Sequence, residues 1–481
     1  MTIQEILALT NPADIIKELQ KVNTAIQVPY ETSKKQYDPS LHDIMDLVIR
    51  PNKTITTPTG EKNTKGEDVS VTSTVAVARI AVPFQKILVN RTVSFLLNEG
   101  IDIRTDAEAL DEIKFIDFIK RIWDDNKLDS KSKQLARLWM SECEAAELWY
   151  FTKEENFWLR LLEKLKLKKV VFRARVKILS PSLGDKLYPY FDESGDMVAF
   201  SREFTVASEG KSLVRFEIYT TEKIIHYTST DGLWEVDEGY PAANPIGKIP
   251  IVYYSREYPL WHDVQALIDR YEVLMSNFAD SNDYFGSPMI VVKGKVNGFA
   301  TKGEQGKILE VEGDGDVNYL TWPQGPESIK LELETLQNMI YSLTQVPDIS
   351  FSQMSKLGNM SGISRKLMFL DIHLKCFNEL EVFEEMIQRR LNLLKAMVGK
   401  VVSVNFAAIS DSVELWPGFT PYLPSAEEEL ITSLSTAAGG KPIISQKTAV
   451  KLNPYLQDED ADAEIKQIQD EESVMNQEAV I

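Results

Sequence analysis

A glycine- and serine-rich break between two long helical patterns constrains this chain more than any other feature of its sequence. The break covers residues 347–369 and reads PDISFSQMSKLGNMSGISRKLMF. Pro347 ends the upstream helix, and Gly358 and Gly362 supply backbone freedom that a packed connection of ordinary length does not need. Apolar residues recur every three or four positions on both sides of the break: Ile329, Leu333, Leu336, Ile340 and Leu343 before it, and Leu370, Leu374, Phe377, Leu380, Phe383, Ile387, Leu391, Leu394 and Val398 after it. The sequence therefore predicts a mobile loop between two rigid helices, with a role beyond linking them.

The length and the apolar pattern predict a multi-lobed protein that does not enter a membrane. A chain of 481 residues can bury large cores and is expected to form two or more lobes. No apolar run approaches the roughly 18 residues of a membrane span, and the first ten residues lack the basic start of a secretory signal. Cys143 and Cys376 lie in helical patterns, which favours small buried side chains over a disulfide. We expect a protein of the cytosol or of a particle assembled there.

The charge balance argues against tight binding of nucleic acid. The chain has 53 Lys and Arg residues against 72 Asp and Glu residues, a net charge of −19. Proteins that clamp nucleic acid usually show the opposite balance, because Lys and Arg neutralise the phosphates. An acidic chain can still surround DNA to which it must not adhere. The basic run from Lys164 to Lys177 fits either contact with nucleic acid or an acidic partner, or the solvent face of an edge strand, which is the favoured interpretation.

The change of hydrophobic period along the chain predicts an α+β fold. The patterns predict short helices over residues 1–50 and a buried helix over 75–100. Between them, residues 51–74 are predicted to be a polar, exposed and mobile insertion. Further helical patterns give way to alternating segments up to KIPIVYYSR, with the turn DESGD at residues 192–196. VVSVNFAAI and VELWPGF are two later strand patterns, and two short helices and a charged tail follow.

A helix, a small strand-rich insert and a second helix form the middle of the sequence. The first helix follows Pro259, ends near Phe285, and carries the stripe Val264, Leu267, Ile268, Tyr271, Leu274, Met275 and Phe278. The second helix starts at Glu327, and the insert between them carries Lys293, Lys295, Lys302 and Lys307. The longest helix runs from about Ile363 to Val398.

No catalytic, cofactor or metal site is predicted. The four histidines, His42, His226, His262 and His373, are far apart in sequence and do not pair with a cysteine at metal-ligand spacing. The chain has no GxxxxGK[ST] loop for a nucleotide phosphate. The acidic group Glu312, Asp314 and Asp316 lacks the pattern of a calcium loop, and a tight turn between strands is the favoured interpretation. We therefore expect no enzyme.

Four segments together resemble the portal proteins of long-tailed double-stranded DNA bacteriophages, the gp6-like portal family. They are FQKILVNRTVSFLLNEGIDI from residue 84, NPIGKIPIVYY from Asn244, DVQALIDRYEVLMSNFADSNDYFGSPMIVVKG from Asp263, and GNMSGISRKLMF from Gly358. The likeness covers residues from about 75 to 460. Neither the first 75 residues nor the acidic tail matches the family pattern, so their roles stay open.

The resemblance implies a mainly helical, ring-forming portal fold with named parts. Residues 1–258 are an α+β wing, 259–285 and 327–348 the stem helices, and 286–326 the clip. The tunnel loop is 349–364, the long helix and the rest of the wing are 365–424, and the crown is 425–481.

The resemblance also implies sites and partners. It implies a stem interface between copies formed by Val264, Leu267, Tyr271, Leu274 and Phe278. The clip lysines would face the packaging motor. The DNA-facing residues of the tunnel loop would be Lys356, Gly358, Asn359, Ser361 and Gly362. Stem carboxylates such as Asp263, Glu272, Asp280, Glu332 and Glu334 would face the channel and repel phosphate.

The implied assembly is a dodecameric ring at one capsid vertex of the virion, assembled in the host cytoplasm. Double-stranded DNA passes through it without sequence specificity during packaging and ejection. The expected partners are the terminase large subunit, head-completion or adaptor proteins, and the major capsid and scaffolding proteins, with no membrane. Two alternatives stay open: a metal-dependent nuclease, and a structural head-to-tail ring adaptor without a DNA-valve role.

Overall fold

The computed structural model describes most of the chain and divides it into two compact units. The described residues are 1–21, 25–62, 68–153, 172–208, 211–230, 232–285, 290–293, 316–319, 325–350, 367–402, 406–422, 427–439, 442–453, 456 and 461–478. The first unit comprises Met1–Val346 and Lys375–Thr420, and the second comprises Pro347–Leu374 and Pro421–Ile481. Within the described residues, no helix combines the length and the apolar character needed to cross a bilayer. This division into units does not test the part boundaries implied by the resemblance.

Three short helices and a hairpin begin the first unit. The helices are α1 (Ile3–Leu7), α2 (Pro12–Leu19) and α3 (Tyr30–Tyr37). The polar insertion is exposed where its side chains are described, but it forms a hairpin, in which β1 (Lys53–Lys62) and β2 (Asp68–Val75) pair antiparallel in a two-stranded sheet. β1 is rich in threonine, and β2 alternates valine with serine and threonine, which favours extended pairing over a loop.

The next segment corrects a helix boundary. The expected helix over 75–100 starts only at Phe84, because Pro83 sets its first turn and residues 76–83 are extended. This helix is α4 (Phe84–Leu96), and β3 (Ile101–Arg104) follows it. The two expected helices then appear as α5 (Leu110–Asp125) and α6 (Leu128–Glu142).

Two packed antiparallel sheets form the strand-rich lobe that the alternating pattern predicts. A three-stranded sheet has the order β12-β4-β5, built from β4 (Glu144–Lys153), β5 (Phe172–Leu179) and β12 (Ile251–Ser255). A six-stranded sheet has the order β10-β9-β8-β7-β6, with β11 paired to β9. Its strands are β6 (Asp185–Phe191), β7 (Met197–Ser208), β8 (Lys211–Thr220), β9 (Lys223–Thr230), β10 (Leu233–Val236) and β11 (Ala242–Ala243).

The local features of this lobe agree with the sequence. The predicted turn at 192–196 joins β6 to β7, and the Asp192 carboxylate accepts the N–H groups of Ser194 and Asp196 at 2.9 Å each. Strand β5 is an edge strand, and its basic residues alternate with buried Ala174, Val176 and Ile178. The edge-strand interpretation of the basic run is therefore confirmed for its described part.

The six-stranded sheet is covered on both faces. One face packs on the three-stranded sheet through a core of Ala146, Leu148, Leu179, Leu187, Phe200, Tyr219, Ile251 and Tyr253. The opposite face, which includes Phe216 and Ile218, is covered by Ile6, Ile15, Ile16 and Leu19 of α1 and α2. The first residues of the chain, whose role the sequence leaves open, thus complete this core.

The middle of the chain forms a helix pair. A 3₁₀ turn (His262–Val264) leads into α7 (Gln265–Phe285), which packs beside α8 (Gly325–Leu343). Between them, β13 (Ile290–Lys293) pairs antiparallel with β14 (Asp316–Tyr319), as the strand-rich insert predicts.

The long helix is confirmed over its described length, but one predicted strand after it is wrong. Helix α9 (Leu370–Met397) continues into a π-helical turn (Val398–Val402), and α10 (Ala407–Ser412) follows. VVSVNFAAI is therefore helical where it is described, since its first two residues end the π-helical turn and its last three begin α10. The second pattern, VELWPGF, contains β15 (Trp416–Phe419), which pairs with β3.

The end of the chain is helical, as predicted. Its helices are α11 (Glu427–Ala438), α12 (Gln446–Lys451) and α13 (Ala461–Glu478). They belong to the second unit.

Candidate functional site: the stem helices

The predicted stem stripe lies on α7 and the turn before it, and much of it is already buried within one chain. Val264 and Leu274 are buried, and Tyr271 packs edge-to-face on Phe84 of α4 with ring centroids 5.2 Å apart. Val264 and Leu274 therefore leave little surface for a contact between copies. Leu267, Tyr271 and Phe278 are half-buried, and their role between copies stays a prediction.

Another face of α7 binds the extended segment that precedes α4. Three side chains on α7, each four residues from the next, accept hydrogen bonds from three backbone N–H groups of that segment, each two residues from the next. Glu272 accepts from Val82 at 2.7 Å, Ser276 Oγ accepts from Ile80 at 3.0 Å, and Asp280 accepts from Ala78 at 2.7 Å. The match follows from geometry: one face of a helix repeats every four residues or so, and alternate N–H groups of extended chain point the same way. We call these contacts the ladder.

Arg50 extends the ladder to the base of the β1–β2 hairpin. Its guanidinium donates to Asp280 Oδ2 at 2.8 Å, Asn277 Oδ1 at 2.9 Å and the Ala78 carbonyl at 2.8 Å. Arg79 donates back to the Arg50 carbonyl at 2.6 Å. Both ends of the hairpin are therefore fixed together against the C-terminal half of α7. Arg50 and Asp280 are largely shielded, so their charge pair is stronger than one on an open surface.

His42 completes the other end of the ladder. Its Nδ1 lies 2.7 Å from Glu272 Oε1, and its Nε2 lies 2.7 Å from the Gln36 carbonyl oxygen. Both side chains are almost wholly buried. Because each ring nitrogen faces an oxygen acceptor, the geometry suits the doubly protonated imidazolium. Burial opposes the charged form, but the hydrogen bond and negative charge of Glu272 outweigh it, and the pKa of His42 is raised.

These contacts correct the predicted set of channel-facing carboxylates. Glu272 is buried against His42, and Asp280 is bound by Arg50, so the channel prediction is wrong for both. Glu332 pairs with Arg270 at 2.7 Å. Asp263 and Glu334 are exposed and stay candidates. The sequence missed the ladder because its backbone donors lie 190 to 202 residues away from their acceptors.

The stem pair also exposes three apolar side chains, one of which belongs to the predicted apolar stripe. Leu343 belongs to the predicted apolar stripe of α8, yet it is exposed, as are Leu331 and Met339. These three residues lie at i, i+8 and i+12, which spreads them over about 120° of the helix circumference. Leu336 and Ile340 of the same stripe are buried as predicted.

A buried charge cluster positions the long helix against the first unit's core. Arg390 of α9 donates from Nε to both carboxylate oxygens of Glu147 on β4, at 3.0 and 2.9 Å. It also donates to Ser132 Oγ on α6 at 2.8 Å and lies over the Trp123 ring of α5. Tyr254 on β12 donates to Glu147 at 2.7 Å. One arginine thus ties the long helix to four other elements.

The tunnel loop and most of the clip lie outside the described residues. This applies to Lys356, Gly358, Asn359, Ser361 and Gly362, and to Lys295, Lys302 and Lys307. Lys293 ends β13, and its backbone pairs with that of Asp316. The other two members of the acidic group, Glu312 and Asp314, are also outside the described residues. These assignments stay predictions.

The described residues hold no group of three or more His, Cys, Asp or Glu side chains placed to bind a metal. Both cysteines are buried and unpaired, as the sequence predicts. Burial raises the pKa of the Cys143 thiol to about 11 and that of Cys376 to about 12, which leaves both as unreactive thiols at neutral pH.

Comparisons with known proteins agree with the resemblance seen in the sequence. The chain is 22% identical over 422 residues to the portal protein of Bacillus phage SPP1, covering 83% of this chain and 76% of that protein. It is also similar to a chain in the neck of a native GTA particle computed with C12 symmetry, at 11% identity and a TM-score of 0.38, covering 77% of this chain and 88% of the other. The family model for phage portal proteins of the SPP1 Gp6-like type matches residues 26–478, so α1 and α2 precede the match. The expectation that residues 26–75 and the acidic tail depart from the family pattern is therefore wrong. The chain belongs to the SPP1 Gp6-like family of phage portal proteins.

Proposed function

We propose that this protein is the portal subunit of a phage capsid, and that copies of it form a dodecameric ring at one vertex. The ring is the channel through which double-stranded DNA is packaged and ejected. It docks the terminase large subunit during packaging and head-completion or adaptor proteins afterwards. The observation that carries the proposal is the family match over residues 26–478.

The stem pair supports this role physically. The ladder, Arg50 and the His42–Glu272 contact fix α7 between Glu272 and Asp280. Arg270 of α7 pairs with Glu332 of α8. Exposed apolar side chains on α8 supply surface for contact between copies. The net charge of −19 suits a channel that DNA must slide through.

The mass of the purified assembly tests the ring. Native mass spectrometry of the full-length chain should give a closed oligomer of twelve copies, each of 54.6 kDa. A monomer at every accessible concentration would refute the proposal. Incubation of the same sample with DNA and Mg²⁺ tests the nuclease alternative, and cleavage that a catalytically inert control protein does not give would favour that alternative.

The clip is proposed as the docking site for the motor. Charge reversal at Lys293 and Lys302 should weaken binding of the terminase large subunit and leave the ring mass unchanged, because both residues belong to the insert and not to the stem. Charge reversal at Lys330, an exposed lysine on α8, is the matched control. Equal motor binding by the clip variant and the control would contradict a docking role for these lysines.

A further inference from the structure

A cavity of about 540 Å³ lies between α3, α4 and α6. This volume is within the range of sites that bind small molecules. Each helix contributes one cationic side chain to the lining: Lys34 on α3, Lys86 on α4 and Arg137 on α6. Within the part of the chain that the structure describes, none of the three pairs with a carboxylate. In a chain with 72 acidic and 53 basic residues, three unpaired cations around one cavity indicate a site for an anionic ligand.

The two carboxyl groups of the cavity already have partners. The Asp38 carboxylate accepts the Ser40 N–H at 3.1 Å and the Ser40 hydroxyl at 2.9 Å. The Glu142 carboxylate accepts the Ser182 N–H at 3.1 Å, and burial raises the pKa of Glu142. With both groups ionised, three positive charges face two negative ones, and protonation of Glu142 increases the surplus to two. The cavity is therefore positively charged.

A buried hydroxyl without a good partner adds to the lining. Ser33 is fully buried beside the cavity, and its hydroxyl has no hydrogen-bond partner among the described residues. The neighbouring Cys143 thiol is a weak partner at best. Because an unsatisfied buried polar group costs free energy, a ligand oxygen toward which the Ser33 side chain turns would stabilise the site.

The two tyrosine rings of the cavity have lysines over them. Lys34 Nζ lies 5.8 Å from the ring centroid of Tyr30, and Lys86 Nζ lies 5.6 Å from that of Tyr37. Tyr37 is also stacked on Trp261, with ring centroids 5.4 Å apart. These contacts restrict the two ammonium groups and disfavour stacking of a nucleobase on the same rings. The lining therefore favours a compact anion.

We propose that this cavity binds the phosphate group of a small molecule, either inorganic phosphate or a compact phosphate monoester. A monoester has three free oxygens, which suit three cations that come from three helices, whereas a carboxylate has two. The planar guanidinium of Arg137 can donate two parallel hydrogen bonds to one phosphate, and the lysines supply further charge. A bound phosphate would link α3, α4 and α6 and stabilise the subunit. A DNA duplex does not enter a cavity of this volume, so the inference goes beyond the proposed channel.

Calorimetric titration of the full-length chain with inorganic phosphate tests the site. Lys86→Gln with Arg137→Gln removes two of the three cations. The matched control, Lys120→Gln with Arg121→Gln, removes the same two types of side chain from the exposed side of α5. The cavity variant should bind phosphate at least about tenfold more weakly, because charged hydrogen bonds are lost, and the control should bind as the wild type does. Circular dichroism and the melting temperature without phosphate check that each variant is folded.

The choice of anion tests the class of ligand. Acetate at the same ionic strength should bind at least about tenfold more weakly than phosphate, because it has fewer oxygens and less charge. Glycerol 3-phosphate represents the monoesters. Tighter binding of that compound would identify a monoester as the ligand, and tighter binding of inorganic phosphate would identify the free ion.

Glu142→Gln tests the electrostatic argument in the opposite direction. The amide keeps an oxygen for the Ser182 N–H and removes a negative charge from the cavity. Phosphate should therefore bind about threefold or more tightly than it binds the wild type. An affinity that stays the same or falls would show that the charge of the cavity does not control binding.

Three further results would overturn the site. They are a wild-type chain that binds no phosphate at millimolar concentrations, equal weakening in the cavity variant and the α5 control, and acetate binding as tight as phosphate binding. None of these measurements requires a ring. A chain that binds phosphate as expected and forms no ring would refute the proposed function alone.

Discussion

At the scale of single residues, His42 makes the ladder sensitive to pH. Its pKa is raised above the ordinary value of 6.5, because the contacts with Glu272, the Gln36 carbonyl and Asp269 outweigh the opposing effect of burial. A raised folded pKa means that the stabilisation is complete below pH 6.5 and is lost as the pH rises through the folded value. The unfolding free energy of the wild type should therefore fall over that interval by more than that of His42→Gln.

The His42→Gln variant should also lose about 3 kcal/mol at pH 6, because Glu272 then lies buried without its cationic partner. The same replacement at His262, an exposed histidine stacked on Tyr258, is the control. Urea unfolding from pH 5.5 to 8.5 measures the unfolding free energy of the wild type and of both variants. Parallel pH profiles for the wild type and His42→Gln would contradict an imidazolium at this site.

Arg390 and Glu147 should show strong energetic coupling. Removing one partner of a buried pair leaves the other charge uncompensated, so Arg390→Met alone should cost about 3–5 kcal/mol. The double variant with Arg390→Met and Glu147→Gln should lose at least about 1 kcal/mol less unfolding free energy than the sum of the two single losses. The exposed Arg389–Glu385 pair, one position away on the same helix, is a close control and should couple by less than about 0.5 kcal/mol. Equal coupling energies for the buried pair and the exposed pair would show that burial does not strengthen the Arg390–Glu147 interaction.

At the scale of elements, the ladder predicts how the base of the hairpin opens. Asp280→Ala removes the acceptor for the Ala78 N–H and the partner of Arg50. Amide exchange in residues 76–82 should accelerate about tenfold, as expected for the loss of roughly 1.4 kcal/mol. Asp283→Ala on the exposed side of α7 should leave that exchange unchanged. Exchange measured by mass spectrometry that is the same in both variants would show that the ladder does not hold the segment.

The elements that local sequence determines were predictable, and those set by distant contacts were not. The long helix, the strand-rich lobe and the turn at Asp192 follow from period and turn chemistry. Residues 76–83 look like the start of a buried helix, but their N–H groups find acceptors on α7 instead. Val398–Val402 has a strand-like composition, yet the end of α9 carries it into the core as a π-helical turn. In each error, a tertiary contact overrode a local preference.

The same reasoning applies to the candidate site. Glu272 and Asp280 have the spacing of a solvated acidic helix face, and only the folded chain shows that buried donors surround them. The apolar stripe of α7 was correctly recognised, but its partner is α4 of the same chain at Tyr271. A variant such as Leu274→Asp would therefore destabilise the subunit itself, since Leu274 is buried. For this reason the exposed residues of α8 are the better probes of assembly.

At the scale of the whole molecule, we propose that the glycine-rich segment controls DNA movement. The proposal rests on the sequence: glycine, as at 358 and 362, tolerates positive φ angles, and Lys356, Asn359 and Ser361 have side chains that can donate to phosphate. In a ring of acidic subunits, such segments would act in turn as a valve against slippage of the duplex.

Restricting the backbone of this segment should impair DNA retention without preventing assembly. Gly358→Pro with Gly362→Val removes the conformational freedom of both glycines, and Gly358→Ala with Gly362→Ala restricts them less. Neither change touches the stem, so both variants should give rings of normal mass and empty capsids in normal number. The Pro/Val variant should package or retain less DNA than the Ala/Ala variant, as measured by the DNA content of purified particles. Full genomes held normally by the Pro/Val particles would show that the segment is a passive connection between α8 and α9.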